Sequence, residues 1–223
     1  MKTVSVAIDG PSGAGKSTIA KAAAKRLGFT YIDTGAMYRT VALYALENGV
    51  DTKNKDGALE TALPNITIDI SYQDGNQHIF LNGEDVSEQS RTPQVSMGAS
   101  DVATVPAVRL KLVELQRALA RRQNVIMDGR DIGTYVLPDA EIKIFLTADV
   151  EDRARRRYEE LIQKGNSVRF EDVLEDMKQR DRNDSARAFA PLRQAEDAER
   201  IDTTGASLDE SVERILSFIQ KRL

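Results

Sequence analysis

Eight residues near the start of the chain, Gly10-Pro11-Ser12-Gly13-Ala14-Gly15-Lys16-Ser17, constrain its fold more than any other segment. They match the pattern G-x-x-x-x-G-K-[ST]. In that pattern glycines let the backbone turn around an anion, successive N–H groups point inward, and a lysine reaches the terminal phosphates. Such a loop sits between a buried strand and a helix whose N-terminus closes the anion site. Both flank it here: an apolar run over residues 3–8 stops at Asp9, and Ile19, Ala23 and Leu27 follow at helical spacing. A nucleoside triphosphate site is therefore expected, with Ser17 completing a Mg2+ shell.

Four more apolar runs, at residues 29–33, 125–128, 142–146 and 200–203, read as further buried strands of a parallel α/β sheet. The segments between them carry helical spacing. Val108, Leu112, Leu115 and Leu119 follow Pro106, and Val212, Ile215, Leu216 and Ile219 follow a capping box from Ser207 to Glu210. Between the second and third runs the period changes to two. Ile66, Ile68 and Ile70 alternate with Thr67, Asp69 and Ser71, and Asp74-Gly75 and Asn82-Gly83 mark two hairpin turns. A small antiparallel insert over about residues 64–86 is expected, with His78 as a surface strand residue. At about 150 residues per domain, 223 residues make one domain with room for an insertion or lid.

Composition narrows the chemistry. Without cysteine there are no disulfides, thiolate metal sites or cysteine nucleophiles, which fits a reducing compartment. With His78 the one histidine, Ser-His-Asp triads and paired-histidine zinc sites lack their parts. Lys plus Arg number 31 against 35 Asp plus Glu, a net charge of −4 that argues against a nucleic-acid coat. No apolar stretch approaches the roughly 18 residues of a membrane span, so a cytoplasmic protein without a membrane partner is expected. Asn54-Lys55-Asp56 has the wrong spacing for a guanine reader, which disfavours a GTPase switch. A nucleic-acid motor is disfavoured by the short chain and by six Phe, six Tyr and no Trp for base stacking.

A kinase for a small anionic acceptor remains. Arg39, Arg109 and Arg130 lie on three segments that can converge outside the carboxyl ends of a parallel sheet. Arg153, Arg155, Arg156 and Arg157, then Arg180, Arg182 and Arg187, offer phosphate clamps. Glu151, Asp152, Glu159 and Glu160 mark part of the first group as a solvated helix face. Asp128, ending an apolar run, is the candidate second carboxylate for Mg2+, although a strand-ending Asp also serves as a turn or cap residue; Asp9 is a weaker candidate. An alcohol acceptor wants a positioned base. A nucleoside monophosphate loses its second proton near pH 6, so alignment and charge neutralisation suffice for it.

Five blocks, in order along the chain, resemble the bacterial cytidylate kinases within the nucleoside monophosphate kinases. They are Ile8 to Ser17; Asp33-Thr34-Gly35-Ala36-Met37-Tyr38-Arg39; Asp128-Gly129-Arg130-Asp131-Ile132-Gly133; Pro138-Asp139-Ala140 before Lys143-Ile144-Phe145-Leu146; and Arg180-Asp181-Arg182 leading to Ala190-Pro191-Leu192. The insert is similar to the one that marks this family. The resemblance implies a P-loop kinase fold: a five-stranded parallel sheet flanked by helices, in a core of residues 1–33, 104–147 and 195–223. An NMP-binding region with the insert (about 34–103) and an α-helical lid (about 148–191) complete it. It also implies a Mg2+-assisted transfer from ATP to CMP or dCMP by a monomer, with another small-acceptor P-loop kinase, for UMP or a metabolite, as the alternative. Carried over by position, Gly10 to Ser17 with Thr18, Arg153 and Arg157 would hold ATP. Arg39 and Arg130 would hold the acceptor phosphate beside Thr34. Ser100, Arg109 and Asp131 would read the cytosine, and Arg180, Asp184 and Arg187 would contact the sugar and phosphate side. Lys16, Arg39, Arg130 and Asp128 would be catalytic.

Overall fold

The computed structural model describes residues 3–73 and 76–223. Strand β1 (Ser5–Asp9) runs through the glycine loop into α1 (Lys16–Leu27), and β2 (Thr30–Asp33) passes directly into α2 (Thr34–Glu47). A short helix, α3 (Ala58–Ala62), precedes the insert strands β3 (Ile68–Gln73), β4 (Asn76–Leu81) and β5 (Glu84–Asp85). Helices α4 (Pro93–Val102) and α5 (Pro106–Ala120) return the chain to β6 (Val125–Gly129), followed by a single π turn, Ile132–Val136, and β7 (Ile142–Thr147). Two helices, α6 (Val150–Gln163) and α7 (Phe170–Ala186), form a hairpin before β8 (Glu199–Asp202) and α8 (Leu208–Gln220).

The main sheet has the order β2-β6-β1-β7-β8, with every pair parallel. Side chains alternate across it, and each face is covered. Ala7, Ile32, Val125 and Met127 join one core with α2, α4, α5 and the insert. Val6, Ile8, Tyr31, Ile126, Ile144 and Leu146 join a second core with α1 and α8. Burial on both faces is why these strands read as unbroken apolar runs. The register pairs Asp33 with Asp128 and Asp9 with Gly129, so the strand-ending Asp9 and Asp33 and the penultimate Asp128 share the carboxyl edge of the sheet.

The insert is the expected antiparallel sheet, with Ile68 opposite Leu81 and Ile70 opposite Ile79. Asn82 and Gly83 both have positive φ, 51° and 89°, as a two-residue type I′ hairpin requires. The Asp74-Gly75 turn lies outside the described residues. Ile66 falls just ahead of β3, after a 3₁₀ turn at Leu63–Asn65. His78 is a half-exposed strand residue and pairs with Asp85 at 2.9 Å. At the far end of the chain Ser207 and Glu210 cap α8 reciprocally.

Candidate active site

The glycine loop lies where β1 meets α1. A Cβ on Gly10 would stand 1.9 Å from the Leu146 carbonyl oxygen on β7, so the chain leaves the sheet there only as glycine. Gly13, at φ 75°, has the Met177 side chain and Arg153 against it, which places the α6–α7 hairpin directly on the loop. Helix α1 carries no acidic residue in its first turn, leaving the N–H groups there to an anion. Lys16, only 5% exposed, donates to the Pro11 carbonyl at 2.7 Å. Burial, then repulsion from Arg130, lowers the Lys16 ammonium to about 7, against the pull of Asp128 and Asp184. Thr18 follows on the exposed side of α1.

Ser17 Oγ donates to Asp128 Oδ2 at 2.9 Å, and the buried Tyr31 hydroxyl donates to Asp128 Oδ1 at 2.9 Å. Thr34 Oγ1 donates to the Asp128 carbonyl at 2.7 Å. Burial and the nearby Asp33 raise the Asp128 carboxyl, while Lys16 opposes the rise. A hydroxyl beside a carboxylate is an all-oxygen donor pair. It is the protein share suited to Mg2+ that also coordinates a triphosphate. Among the described residues no group of three or more His, Asp or Glu gathers to hold a metal.

The expected arginines divide. Arg39 Nη2 pairs with Asp33 Oδ2 at 2.9 Å, and Asp33 in turn caps α2 through the Ala36 N–H. Arg130 Nε pairs with Asp184 Oδ2 at 2.7 Å, and Arg187 Nη2 reaches Asp184 Oδ1 at 3.1 Å. Burial and then the Arg130 charge lower Arg180 to about 10. The Nε atoms of Arg39 and Arg180 are buried without a hydrogen-bond partner. Arg109, fully buried, pairs with Asp131 and lies 5.7 Å from the Tyr38 ring centroid and 5.6 Å from that of Phe189. Burial raises the Asp131 carboxyl and Arg109 opposes it. Ser100, half-buried on α4, takes no part in these hydrogen bonds.

On the hairpin, Arg153 donates to the Ser12 carbonyl of the loop at 2.9 Å and to Asp181 at 2.6 Å. Arg157 pairs with Glu160 at 2.8 Å. The other hairpin arginines have structural partners: Arg155 lies over the Phe170 ring, Arg156 holds Asp152 and the Thr203 carbonyl, and Arg182 holds Glu175.

Asp9 corrects an expectation. Rather than offering a ligand to a metal, both its oxygens accept backbone amides of the π turn, Ile132 N–H and Gly133 N–H, each at 2.7 Å. Tyr31 and Asp181 were the partners that sequence reasoning missed. For Tyr31 a signal exists, since a period of two puts it on the same side of β2 as Asp33.

A sequence description of the cytidylate kinase family matches residues 6–221. A cytidylate kinase from Caldicellulosiruptor bescii is 52% identical over 221 residues, covering 99% of this chain and 97% of its own. Another from Caldanaerobacter subterraneus subsp. tengcongensis is 53% identical over 219 residues, 98% of this chain and 96% of its own. One from Bacillus cereus is 49% identical over 218 residues, again 98% and 96%. Among solved structures, an uncharacterised protein from Eubacterium ventriosum superposes with a TM-score of 0.55 at 16% identity, covering 99% of this chain and 100% of that one. A gluconokinase from Sinorhizobium meliloti gives 0.50 at 13% identity, covering 98% and 92%. These two bear on the fold alone. Taken with half-identical relatives along almost its entire length, the phosphate loop and its converging arginines make this chain a member of the cytidylate kinase family.

Proposed function

We propose that the protein transfers the γ-phosphoryl group of ATP to CMP and dCMP, giving CDP and dCDP. One observation carries the phosphate-to-phosphate character of this reading. Lys16 is buried and Arg130 and Arg180 are half-buried near it, and the Arg130 charge weakens the proton affinity of the other two. Cations gathered at the end of a phosphate loop are stabilised by anions, and two phosphates facing each other supply them. The names of the half-identical relatives support cytidine as the base.

In this reading the loop, Lys16 and Thr18 hold ATP, with Arg153 and Arg157 above it. Arg39 and Arg130 align the acceptor phosphate beside Thr34, and Arg180, Asp184 and Arg187 steady the sugar and phosphate side. The acceptor dianion needs no base, so these residues work by alignment and by donating to the charge that develops on the transferring oxygens. Ser17 and Asp128 would hold Mg2+, which when bound neutralises phosphate charge. Asp131 accepts from the cytosine amine while Arg109 and Ser100 complete the edge.

Residues 148–191 act as a lid whose closure excludes water from ATP. A cytoplasmic monomer fits this reading. Among the described residues no helix is long and apolar enough to cross a membrane. The exposed large apolar side chains, Met97, Leu110, Ile162, Leu208 and Leu223, are dispersed over α4, α5, α6, α8 and the C-terminal residue. The test is coupled ADP release from Mg-ATP against CMP, dCMP, UMP, AMP, GMP, dTMP and shikimate. Turnover led by CMP and dCMP is expected. Turnover independent of acceptor, or led by UMP or an alcohol, would overturn the proposal.

A further inference from the structure

We infer that Asp9 is a positioning residue that ties the ATP-binding loop to the turn carrying Arg130 and Asp131. This rests on the assignment of those two residues to the acceptor. Asp9 ends β1 and is followed at once by Gly10, the first residue of the loop. Its side chain crosses to the segment after β6, where Oδ1 accepts from Ile132 N–H and Oδ2 from Gly133 N–H, both at 2.7 Å. These amides open the π turn Ile132–Val136, and the first amides of any such turn lack partners within it. A carboxylate 123 residues away in sequence supplies both acceptors.

The geometry is tight on both sides. A Cβ on Gly133 would stand 3.4 Å from Asp9 Oδ2 and 3.1 Å from the Lys143 side chain, so the glycine lets the turn approach the carboxylate. Asp131 enters the turn with φ −146° and ψ 24°, outside the helical and extended conformations. Arg130 is directly before it. Because one carboxylate grips two consecutive amides, it fixes the turn in orientation as well as in distance. The angle between the donor loop and the acceptor contacts of Arg130 and Asp131 is thereby set by Asp9. Displacement of about 1 Å in such an arrangement is felt as roughly 100-fold in rate.

Steady-state kinetics of Asp9→Asn and Asp9→Ala test this, with CMP and UMP as acceptors and ATP varied separately. Losing one or both hydrogen bonds is expected to raise KM for CMP about 10-fold in Asp9→Asn and up to about 100-fold in Asp9→Ala. KM for ATP should stay within about 3-fold, and the preference for CMP over UMP should narrow as Asp131 loses its place. A merely structural Asp9 would instead lower the melting temperature while leaving the KM for CMP and the CMP/UMP preference of the folded enzyme unchanged. That result overturns the inference, as does an equal rise in both KM values. Arg130→Gln serves as the reference arm. If it raises KM for CMP while Asp9→Asn does not, the inference alone falls; if it too leaves KM unchanged, the acceptor assignment falls with it. Should Asp9→Asn not fold, Gly133→Ala perturbs the same contact from the turn, and the same split between KM values is expected.

Discussion

Neutralising Asp9 should separate stability from function. Burial outweighs the two amides and raises the Asp9 carboxyl from 3.8 to about 7. A carboxyl whose folded pKa exceeds its unfolded one binds its proton more tightly when folded. Its contribution is complete below about pH 4 and is lost as pH rises through 7. A difference of about 3 pH units corresponds to about 4 kcal/mol, of which about 2–3 kcal/mol is lost between pH 5 and pH 8. Asparagine carries no charge in either state, so Asp9→Asn lacks this slope. It also turns an N–H₂ toward an amide, at about 1–3 kcal/mol. The variant should therefore be about 1–3 kcal/mol more stable than the parent at pH 8, and match or fall below it at pH 5. Urea unfolding of both proteins without nucleotide, at intervals from pH 5 to pH 8, reads the difference directly. Parallel pH profiles, or a variant weaker by more than about 3 kcal/mol at pH 8, would refute the electrostatic reasoning.

Replacing Lys16 with Met removes the charge that follows the transferring group, and kcat should fall about 10³-fold or more while circular dichroism stays unchanged. Gly10→Ala forces a Cβ to within 1.9 Å of the Leu146 carbonyl, so its melting temperature should drop by the equivalent of more than about 1 kcal/mol. In the α6–α7 hairpin, Arg180 is weakened by burial and by the charges of Arg130, Arg39 and Arg157, a repulsion that bound phosphates would relieve. Hydrogen exchange there should slow with ATP and CMP together, and equal protection with and without them would argue against a lid.

Much of the architecture was legible because its causes are local. Burial on both faces left the strands of the sheet as apolar runs, and the positive-φ requirement at Asn82 and Gly83 announced the hairpin. Helix α4 carries a Thr92-Pro93 start and Val95, Ala99 and Val102 at helical spacing, but Gly98, packed against Ala42 and Thr52, and few large apolar residues make its buried face weak in the sequence. The site was legible wherever a motif carries its own chemistry, as in the loop from Gly10 to Ser17. It was not legible where the chemistry arises only on folding. Asp9 finds its amides 123 residues away, and the apolar run around Tyr31 masks the period-of-two signal that aligns it with Asp33. Arg155, Arg156 and Arg182 could be told from Arg153 only once the helices had a fixed phase against the loop.

The central claim, that buried polar groups of this cleft select cytidine monophosphate, is tested most directly by the CMP/UMP ratio of kcat/KM in the parent and in Asp131→Asn. Asp131 and Arg109 are both buried and paired, so the substitution also weakens the fold. The ratio is taken within one preparation, so any loss of folded enzyme cancels. A carboxylate suits the cytosine amine and opposes the uracil oxygen at the same place, whereas an amide can turn to donate to it. Buried pairing of this kind discriminates by up to about 10⁴-fold. The account predicts a large preference for CMP in the parent and a much smaller one in Asp131→Asn, with KM for ATP unchanged. An identical ratio in the two enzymes would contradict it and leave Asp131 as the structural partner of Arg109.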